Sequence, residues 1–452
     1  MINVKNKTVV VVGLGTTGQS VACFLKRAGA QVVATDIVSE KNLGPIASSF
    51  KETGIILSLG GHKEKIFRDA DLVVVSPGVP QDSKAISAAR KYNVPIMGDI
   101  ELSFLCTDLP IIAITGTNGK TTTTMLVYEI LKKSGRRPFL GGNIGRPFIE
   151  ILDDTHAYDC AVLEISSFQL DYTKYFRAHI AVLLNITPDH LDRYSSFSQY
   201  VDSKARIFSN QQETDCAILN RNDEIVRKIA QGIVSQKIFF STKKTRGKDI
   251  FRKNDKILST WQEKITCYDV SHTKLKGLHN LENMMAAIGV AEMLHCPEDS
   301  ISEGLRNFTP DHHRIEYIGE FGEIKFYDDS KATNVGAVER ALENLSPPII
   351  LIAGGRGKGS NYTPLRKHIK EKVKALILLG EEAYTIKESL EDLTNTHIVS
   401  TMEEAVTMSY IIGNKNDTVL LSPACSSFDM FENYRKRGEA FRHAVLNLTY
   451  DI

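Results

Sequence analysis

The sequence predicts an α/β protein with mostly parallel sheets, divided into three domains. Short Val/Ile/Leu runs of strand length alternate along the chain with stretches of helical period, which is the pattern of parallel sheets covered by helices. Most of these runs end in Gly, Ser, Thr or Asn, as expected where strands stop at a ligand crevice. The length of 452 residues is too great for one compact core.

The strands are predicted from continuous apolar runs, since a strand buried on both faces shows no polar alternation. In chain order they are Thr8–Val12, Val32–Ala34, Leu72–Val75, Ile111–Thr115, Ala161–Ile165, Ala181–Leu184, Ile349–Ala353, Leu376–Leu379 and Val419–Leu421. Shorter strand-like pieces at Ile238–Ser241, Ile257–Trp261 and Ile265–Val270 lie in a polar stretch and predict a meandering insertion at an edge.

The pattern restarts near Asp108 and again after the segment 308–314. We therefore predict domains at residues 1–99, 100–309 and 310–452. The first and last have the strand and helix order of Rossmann-like modules, and the middle one that of a P-loop ATPase-like module.

Composition excludes several classes of protein. The net charge of +1, from 55 basic and 54 acidic residues, argues against a nucleic-acid-coating protein. Seven cysteines without a CxxC pair predict reduced thiols in the interior. No run approaches the ~18 apolar residues of a membrane span. We expect a cytoplasmic monomer with neither a nucleic-acid partner nor membrane insertion.

The first strand leads into a glycine-rich turn, Gly13–Gly18, which contains Gly15, Thr16 and Thr17. A helix and a second strand follow, and that strand ends at Asp36. This arrangement is typical of a dinucleotide fold, in which backbone N–H groups at a helix start receive a pyrophosphate. It leaves open NAD(P) or FAD, another nucleotide diphosphate, and a structural turn. Ser76 begins a second loop at the same edge, which taken alone is a plain turn.

A second glycine loop gives a stronger signal. The strand Ile111–Thr115 is followed by Gly116, Thr117, Asn118, Gly119, Lys120, Thr121 and Thr122, and then by a helix. Such a loop holds phosphates with backbone N–H groups, its lysine reaches the β- and γ-phosphates, and the next hydroxyl binds Mg²⁺. Two residues rather than four separate its glycines, so it is a shortened relative of the usual phosphate loop. It predicts ATP binding.

Candidate metal ligands follow at two later strand ends. Glu164 closes an apolar strand, where a carboxylate is costly to bury without a cation. His190 lies between Asp189 and Asp192 after another strand. Without the ATP loop, Glu164 is better explained as a carboxylate held by a helix N-terminus, and His190 as a cap or loop residue. The ATP loop favours a metal or γ-phosphate role for both.

With these residues in view, the sequence resembles the Mur ligase family, which includes folylpolyglutamate synthetase. The resembling segments are Gly116–Thr122, Gly142–Gly145, Glu164–Leu170, Asn185–Tyr194, His279-Asn280 with Asn283, His313-Arg314, Asp329–Asn334, Gly354–Lys358 and Leu421–Gly438. The resemblance implies one domain for a UDP-sugar substrate, a central ATPase and a C-terminal domain for an incoming amino acid. It also implies that ATP converts a carboxylate to an acyl phosphate, which an amine then attacks.

Within the family, the segments are most similar to those of members that add D-glutamate to UDP-N-acetylmuramoyl-L-alanine, a step of peptidoglycan precursor synthesis. The resemblance implies catalytic roles for Lys120, His190 and Lys204, and a bound pair of Mg²⁺ ions held by Thr121, Glu164, His190 and Lys204. Lys204 would act as a carbamate, a role that a lone helical lysine would not suggest.

Further roles follow from the same resemblance. ATP would contact the loop Gly116–Thr122 together with Asn283, Arg314 and Asp329. The UDP substrate would contact Gly15, Thr16, Thr17, Asp36, Ser76, Asn143 and His190. D-Glutamate would contact Lys331, Thr333, Lys358, Ser427 and Tyr434, where lysines supply charge for two carboxylates.

The sequence departs from the family pattern at two places. Tyr434 stands where some members have phenylalanine, and Asp36-Ile37-Val38 lacks the hydroxyl and basic side chain that can follow this acid. The DNPR segment of diamino-acid-adding relatives is absent. Three alternatives stay open: a nicotinamide-dependent dehydrogenase, which leaves the second loop unexplained, a phosphate-loop ATPase acting through protein partners, and folylpolyglutamate synthetase.

Overall fold

The structure is a computed structural model that describes residues 2–245, 247, 249–309 and 312–448. Its residues group into two compact units. The first unit contains the described residues up to 186 together with 198–273 and 280–308. The second unit contains residues 187–197 and 274–279 and the described residues from 309 onward.

The N-terminal part of the first unit is a five-stranded, fully parallel sheet with the order β3-β2-β1-β4-β5. Its strands are β1 (Thr8–Val12), β2 (Gln31–Thr35), β3 (Ile56–Ser58), β4 (Leu72–Val75) and β5 (Ile96–Gly98). Its helices are α1 (Thr16–Arg27), α2 (Glu40–Leu43), α3 (Pro45–Glu52), α4 (Lys65–Arg68), α5 (Lys84–Lys91) and α6 (Asp99–Phe104). Val9 and Val11 pack into one hydrophobic cluster, and Val10 and Val12 into another. Because both faces of β1 are covered, the last four of its five residues are all valine.

The rest of the first unit is built on a nine-stranded sheet with the order β14-β13-β12-β11-β10-β9-β6-β8-β7. Its strands are β6 (Ile111–Thr115), β7 (Pro138–Gly142), β8 (Cys160–Glu164), β9 (Ile180–Leu183), β10 (Cys216–Asn220), β11 (Gln236–Ser241), β12 (Asp249–Lys253), β13 (Lys256–Ser259) and β14 (Thr266–Asp269). The pairs β12–β13 and β13–β14 are antiparallel, and the other pairs of this sheet are parallel. The accompanying helices are α7 (Lys120–Lys133), α8 (Ser167–Leu170), α9 (Phe197–Ala205), α10 (Glu224–Ala230), α11 (Leu278–Met293) and α12 (Glu298–Asn307). Strand β6 is the third strand from the β7 edge and lies between β8 and β9, so the loop after it begins inside the sheet.

The second unit contains a six-stranded sheet with the order β15-β16-β20-β17-β18-β19, antiparallel only between β15 and β16. Its strands are β15 (Glu316–Phe321), β16 (Ile324–Asp328), β17 (Ile349–Gly354), β18 (Val373–Leu379), β19 (Asn395–Ile398) and β20 (Thr418–Ala424). Its helices are α13 (Val335–Asn344), α14 (Arg366–Lys372), α15 (Ala383–Leu390), α16 (Met402–Ile412) and α17 (Tyr434–Asn447). Successive residues of β17 again pack into clusters on opposite faces.

The structure confirms all nine apolar runs as strands, with ends that differ by up to three residues. One prediction was partly wrong. Ile238–Ser241 belongs to β11, which pairs in parallel with β10 and β12 and is therefore part of the main sheet, not of an edge insertion. Only β13 and β14 form the expected antiparallel meander. The domain boundaries at 99 and 309 stay predictions. Among the helices described, none is long and apolar enough to cross a membrane.

Candidate active site

The conformation of the loop after β6 is fixed by two glycines and by hydrogen bonds to Asn185. Gly116 has a φ of 154° and Gly119 a φ of 87°, conformations that favour glycine. Asn185, at the end of the adjacent strand, accepts the Thr117 N–H with its carbonyl and the Asn118 N–H with its side chain, both at 2.8 Å. These bonds fix the loop at the N-terminus of α7, where the helix dipole favours an anion.

Two lysines converge on this loop. Lys120 Nζ donates to the carbonyls of Gly116 and Thr117, both at 2.9 Å. Lys204 Nζ, from α9, also donates to the Gly116 carbonyl at 2.9 Å and lies 4.7 Å from the centre of the Tyr200 ring. Lys204 is only 2% exposed, so it is an interior residue and not a solvated surface lysine. Two lysine side chains therefore lie beside the predicted phosphate site.

Glu164, the last residue of β8, contacts the same loop. Its Oε2 accepts a hydrogen bond from Thr121 Oγ1 at 2.8 Å, and its Oε1 accepts one from Asn143 Nδ2 at 2.7 Å. The carboxylate is 2% exposed. A buried carboxylate beside a hydroxyl is a set of oxygen donors that suits Mg²⁺, so these residues fit the predicted metal. Asn143, predicted to contact the UDP substrate, orients Glu164 in this structure.

Asn283 is packed against the same loop. Its Oδ1 accepts a hydrogen bond from Thr123 Oγ1 at 3.2 Å, and a Cβ added at Gly119 would lie 2.3 Å from that oxygen. Gly119 is therefore required both by its backbone conformation and by this close approach. The geometry brings together the loop, Glu164, Asn143, Lys204 and Asn283 within the first unit.

The N-terminal glycine loop is built differently. Gly18 lies so close to the turn that a Cβ there would be 1.8 Å from the Gly13 carbonyl. Ser76 Oγ donates to that same carbonyl at 2.7 Å. Asp36 accepts the Leu14 N–H at 2.6 Å and the Val38 N–H at 3.0 Å. Gly15, in contrast, has no atom within 4 Å of an added Cβ, so open space lies above the start of α1.

The N-terminal sheet is tied to the central one through acidic side chains of α6. Glu101 accepts the backbone N–H groups of residues 174, 175 and 176. Asp99 accepts a hydrogen bond from Gln169 Nε2 at 3.2 Å. Gln169 Oε1 accepts from Ser166, which completes the capping box at the start of α8, two residues after Glu164. Burial raises the pKa of Asp99 to about 6, despite the hydrogen bond from Gln169.

Residues predicted to bind D-glutamate lie in the second unit. Lys358 Nζ is 3.2 Å from Oδ1 of Asp189, a buried carboxylate that also accepts from Asn334 Nδ2 at 3.1 Å. His190, with a φ of 56°, donates its backbone N–H to Asp189 at 2.9 Å. His190 belongs to the second unit, so its place in a metal site with Glu164 stays a prediction.

Two loops of the second unit carry the other predicted amino-acid ligands, and one buried cation joins them. Arg437 is 2% exposed and donates to the carbonyls of Ser330, Cys425 and Ser426 and to the Ser330 hydroxyl. Burial lowers the pKa of this guanidinium to about 10. Arg437 thus connects the loop that carries Lys331 and Thr333 with the loop that carries Ser427. Lys331 Nζ lies 5.2 Å from the centre of the Tyr434 ring.

Asp329 and Arg314, predicted to bind the nucleotide, also lie near each other in this unit. Asp329 accepts a hydrogen bond from Ser422 Oγ at 2.9 Å. Burial raises the pKa of Asp329 to about 7, against the opposing effects of Ser422 and the positive charge of Arg314. Next to Arg314, His313 Nδ1 forms a 2.6 Å contact with Asp328, and this hydrogen bond raises the pKa of His313.

The sequence predictions do not include three residues of the site. Arg437 lies within a resembling segment but received no role, because its acceptors are backbone groups that leave no mark in a sequence. For Asp189 the sequence shows only that it is the neighbour of His190, since nothing in the sequence relates it to Lys358. Tyr200, which contacts Thr117 Oγ1 at 3.0 Å, could have been found from its i, i+4 spacing to Lys204.

Comparison with known families gives matches in all three parts of the chain. The family described as "Mur ligase MurD-like, N-terminal domain" matches residues 7–98, "Mur ligase middle domain" matches 114–291, and "Mur ligase, glutamate ligase domain" matches 313–425.

Individual relatives match over nearly the whole length. The UDP-N-acetylmuramoylalanine–D-glutamate ligase of Geotalea uraniireducens is 43% identical over 443 residues, 98% of each chain. That of Trichlorobacter lovleyi is 42% identical over 447 residues, covering 99% of this chain and 100% of its own.

Solved structures share the fold. A pseudomurein peptide ligase type C from Methanothermus fervidus has a TM-score of 0.61 at 22% identity, covering 98% of this chain and 100% of its own. MurF from Acinetobacter baumannii has a TM-score of 0.63 at 16% identity, covering 98% and 91%.

Proposed function

This chain belongs to the Mur ligase family and has its three-domain α/β fold, and we propose that it joins D-glutamate to UDP-N-acetylmuramoyl-L-alanine at the expense of ATP. The observation that carries this proposal is the convergence of Lys120, Lys204 and Glu164 on the phosphate loop of a chain 43% identical to such a ligase over 98% of its length. The products are ADP, phosphate and the extended peptide precursor of peptidoglycan.

The proposed reaction has two steps. A carboxylate oxygen of the alanyl group attacks the γ-phosphorus of ATP, a P–O bond forms, and the bond to ADP breaks. The uncharged amine of D-glutamate then attacks the acyl carbon, loses a proton, and the tetrahedral intermediate expels phosphate. Negative charge develops on the phosphoryl oxygens in the first step, so positioned cations provide most of the stabilisation. Lys120 and the loop N–H groups have the position and charge for this role.

We assign the metal to the buried oxygen donors beside the loop. Glu164 and Thr121 would hold Mg²⁺, with His190 and a modified Lys204 completing two sites. Bound Mg²⁺ supplies charge neutralisation for the phosphates and for the attacking carboxylate. For Lys204, the uncharged ε-amine would add to CO₂, forming an N–C bond and releasing a proton. The resulting carbamate would place a negative group where a buried ammonium is costly.

Amino-acid recognition is assigned to the second unit. The substrate carries two carboxylates, and Lys331 and Lys358 are cations near the Asp329–Asn334 and Gly354–Lys358 loops. Thr333, Ser427 and Tyr434 would add hydrogen bonds and shape, with Arg437 keeping their loops in register. Lys358 already pairs with a carboxylate, that of Asp189, which supports its role in binding one from the substrate.

The remaining assignments follow the same division. Adenosine and phosphate contacts would come from Asn283, Arg314 and Asp329, and UDP-substrate contacts from Gly15, Thr16, Thr17, Asp36, Ser76, Asn143 and His190. We propose that the protein acts in the cytoplasm as a monomer.

The direct test is an ATP-dependent phosphate-release assay with UDP-N-acetylmuramoyl-L-alanine and a panel of D-glutamate, L-glutamate, L-alanine and diamino acids. We expect release only with D-glutamate, together with formation of the ligated product. Hydrolysis independent of any amino acid would instead indicate a phosphate-loop ATPase, and tight NAD(H) binding without hydrolysis would indicate a dehydrogenase.

Lys358→Ala tests the amino-acid site. Loss of one charged partner of a carboxylate should raise the KM for D-glutamate about tenfold or more and leave the KM for ATP nearly unchanged. Lys374→Ala is a matched control, because Lys374 forms a similar pair with Asp417 in the same unit. A larger change in the KM for ATP than for D-glutamate would move Lys358 to the nucleotide site.

A further inference from the structure

A loop at the end of β3 is fixed against the segment that carries Asp36. The N–H of Gly61 donates to the Asp36 carbonyl and that of Gly60 to the Val38 carbonyl, both at 3.0 Å. The φ values of 74° at Gly60 and 121° at Gly61 turn the chain at this point. The next residue, His62, is thereby held beside β2, at the carboxyl edge where parallel sheets bind ligands.

The hydrogen bonds of Thr35 determine the tautomer of His62. Thr35 Oγ1 has a single hydrogen, which it donates to the Ser58 carbonyl at 2.8 Å. In its 3.1 Å contact with His62 Nδ1, the same hydroxyl must therefore be the acceptor. It follows that Nδ1 carries the proton.

Burial favours the uncharged form of the His62 ring. Burial lowers the pKa of His62, and the negative charge of Asp36 opposes this effect without overcoming it. An uncharged imidazole with a proton on Nδ1 has a lone pair on Nε2, so Nε2 is an acceptor. No donor from the described part of the chain forms a hydrogen bond with Nε2, and the side chain is partly exposed.

We propose that Nε2 of His62 accepts a hydrogen bond from the uridine moiety of the UDP substrate. This inference rests on the proposed function, which places that substrate at Asp36 and the glycine loop. Uridine has hydrogen-bond donors that suit the site. They are the imide N3–H of the uracil and the ribose hydroxyls. A diphosphate or a carboxylate offers only acceptors, which Nε2 would repel.

Two substitutions separate the two nitrogens of the ring. In His62→Asn, an amide N–H can replace Nδ1 and keep the bond to Thr35, but nothing reaches the position of Nε2. In His62→Gln, the terminal amide oxygen can reach that position. We expect His62→Asn to raise the KM for the UDP substrate about fivefold to tenfold, with kcat and the KM for ATP unchanged, and His62→Gln to restore much of the loss.

Substrate analogues identify the donor. Three analogues of the substrate each lack one hydrogen-bond donor of the uridine. They contain N3-methyluridine, 2′-deoxyuridine or 3′-deoxyuridine. The analogue that lacks the bonded donor should lose affinity with the native enzyme but lose no more with His62→Asn, since the partner is already gone. Equal losses in both proteins for all three analogues would overturn the proposal.

Controls distinguish a failure of this inference from a failure of the proposed function. His156→Ala changes an exposed histidine of the same unit and should leave every constant unchanged. Thermal unfolding of His62→Asn shows whether the loop is intact. If the native protein ligates D-glutamate but the KM of His62→Asn is normal, this inference fails alone; if no ligation occurs, the proposed function fails first.

Discussion

The two glycine loops of the first unit have similar backbones and different chemistry. Each follows a buried strand, turns at a glycine with positive φ, and begins a helix, α1 at Thr16 and α7 at Lys120. In the loop of residues 13–18, the supporting side chains are a hydroxyl and a carboxylate, those of Ser76 and Asp36. In the loop of residues 116–122, the side chains of two lysines, Lys120 and Lys204, converge on one carbonyl.

The difference shows that a backbone able to hold a phosphate does not by itself form a phosphoryl-transfer site. Backbone N–H groups and a helix dipole suffice to hold a diphosphate, and the first loop offers these. Transfer also requires positive charge near the oxygens on which negative charge develops, and of the two loops only the second contains a lysine, Lys120. We therefore expect substitutions at the second loop to reduce kcat and those at the first to raise the KM for the UDP substrate.

Lys120→Ala should have the largest effect. Removal of the loop lysine should lower ATP-dependent phosphate release about 10³-fold or more, because charge on the transferred phosphoryl group loses its direct partner. Thr16→Ala is the corresponding change in the first loop and should raise only the KM for the UDP substrate. Near-normal turnover of Lys120→Ala, measured by phosphate release, would remove the distinction between the loops.

Lys204→Ala should reduce kcat about 10²-fold, as expected for loss of one group that supports the reacting phosphate. If the lysine acts as a carbamate, short carboxylic acids should restore part of the activity by occupying the vacated space. The control is Lys133→Ala, an exposed lysine of α7 that pairs with Glu303. It should be fully active and insensitive to added acids, whereas a fully active Lys204→Ala would refute the assigned role.

Glycine substitutions in the first loop should separate packing from binding. Gly18→Ala forces a Cβ against the Gly13 carbonyl and should lower the free energy of unfolding by about 1–3 kcal/mol. Gly15→Ala meets no atom within 4 Å and should change stability by less than about 0.5 kcal/mol. Because its methyl group lies where the diphosphate would approach, Gly15→Ala should still raise the KM for the UDP substrate. Equal melting temperatures for the two variants would contradict the packing argument.

Asp99→Asn probes the tie between the two loops' sheets and should have the smallest effect. The folded-state pKa of about 6 lies above the ordinary 3.8, so the folded protein binds this proton more tightly than the unfolded chain. The carboxyl's contribution to stability is therefore present below about pH 3.8 and is lost as the pH rises to about 6.

Asparagine keeps an acceptor for Gln169 and cannot ionise. The melting temperature of Asp99→Asn, relative to that of the native protein, should therefore increase between pH 4 and pH 6 and be constant above that range. A melting-temperature difference that is independent of pH would show that burial does not raise the pKa of Asp99 in the folded protein.

The sequence predicted the interior of each sheet better than its edges. Fully buried strands such as β4 and β17 are continuous apolar runs, which are easily recognised. Strands β3 and β5 have three residues each, and β19 has no fully buried position, so none of them has a distinct pattern. The parallel pairing of β11 was missed because its polar flanking segments suggested an insertion.

The site shows the same division. The loop residues and Glu164 could be predicted because a strand end, glycine spacing and a buried acid are local features. The contact between Lys358 and Asp189 could not, since 169 residues separate them and only the fold brings them together. Arg437 was missed for another reason: its partners are carbonyl groups, which every residue possesses. Long-range pairs and backbone acceptors leave no local signal.

The most direct test of the account follows oxygen from substrate to phosphate. UDP-N-acetylmuramoyl-L-alanine labelled with ¹⁸O in its alanyl carboxylate is incubated with the enzyme, ATP and D-glutamate, and the released phosphate is examined by mass spectrometry. If the carboxylate attacks the γ-phosphorus at the loop of residues 116–122, each phosphate must carry one labelled oxygen. Unlabelled phosphate accompanying normal ligation would contradict an acyl-phosphate intermediate.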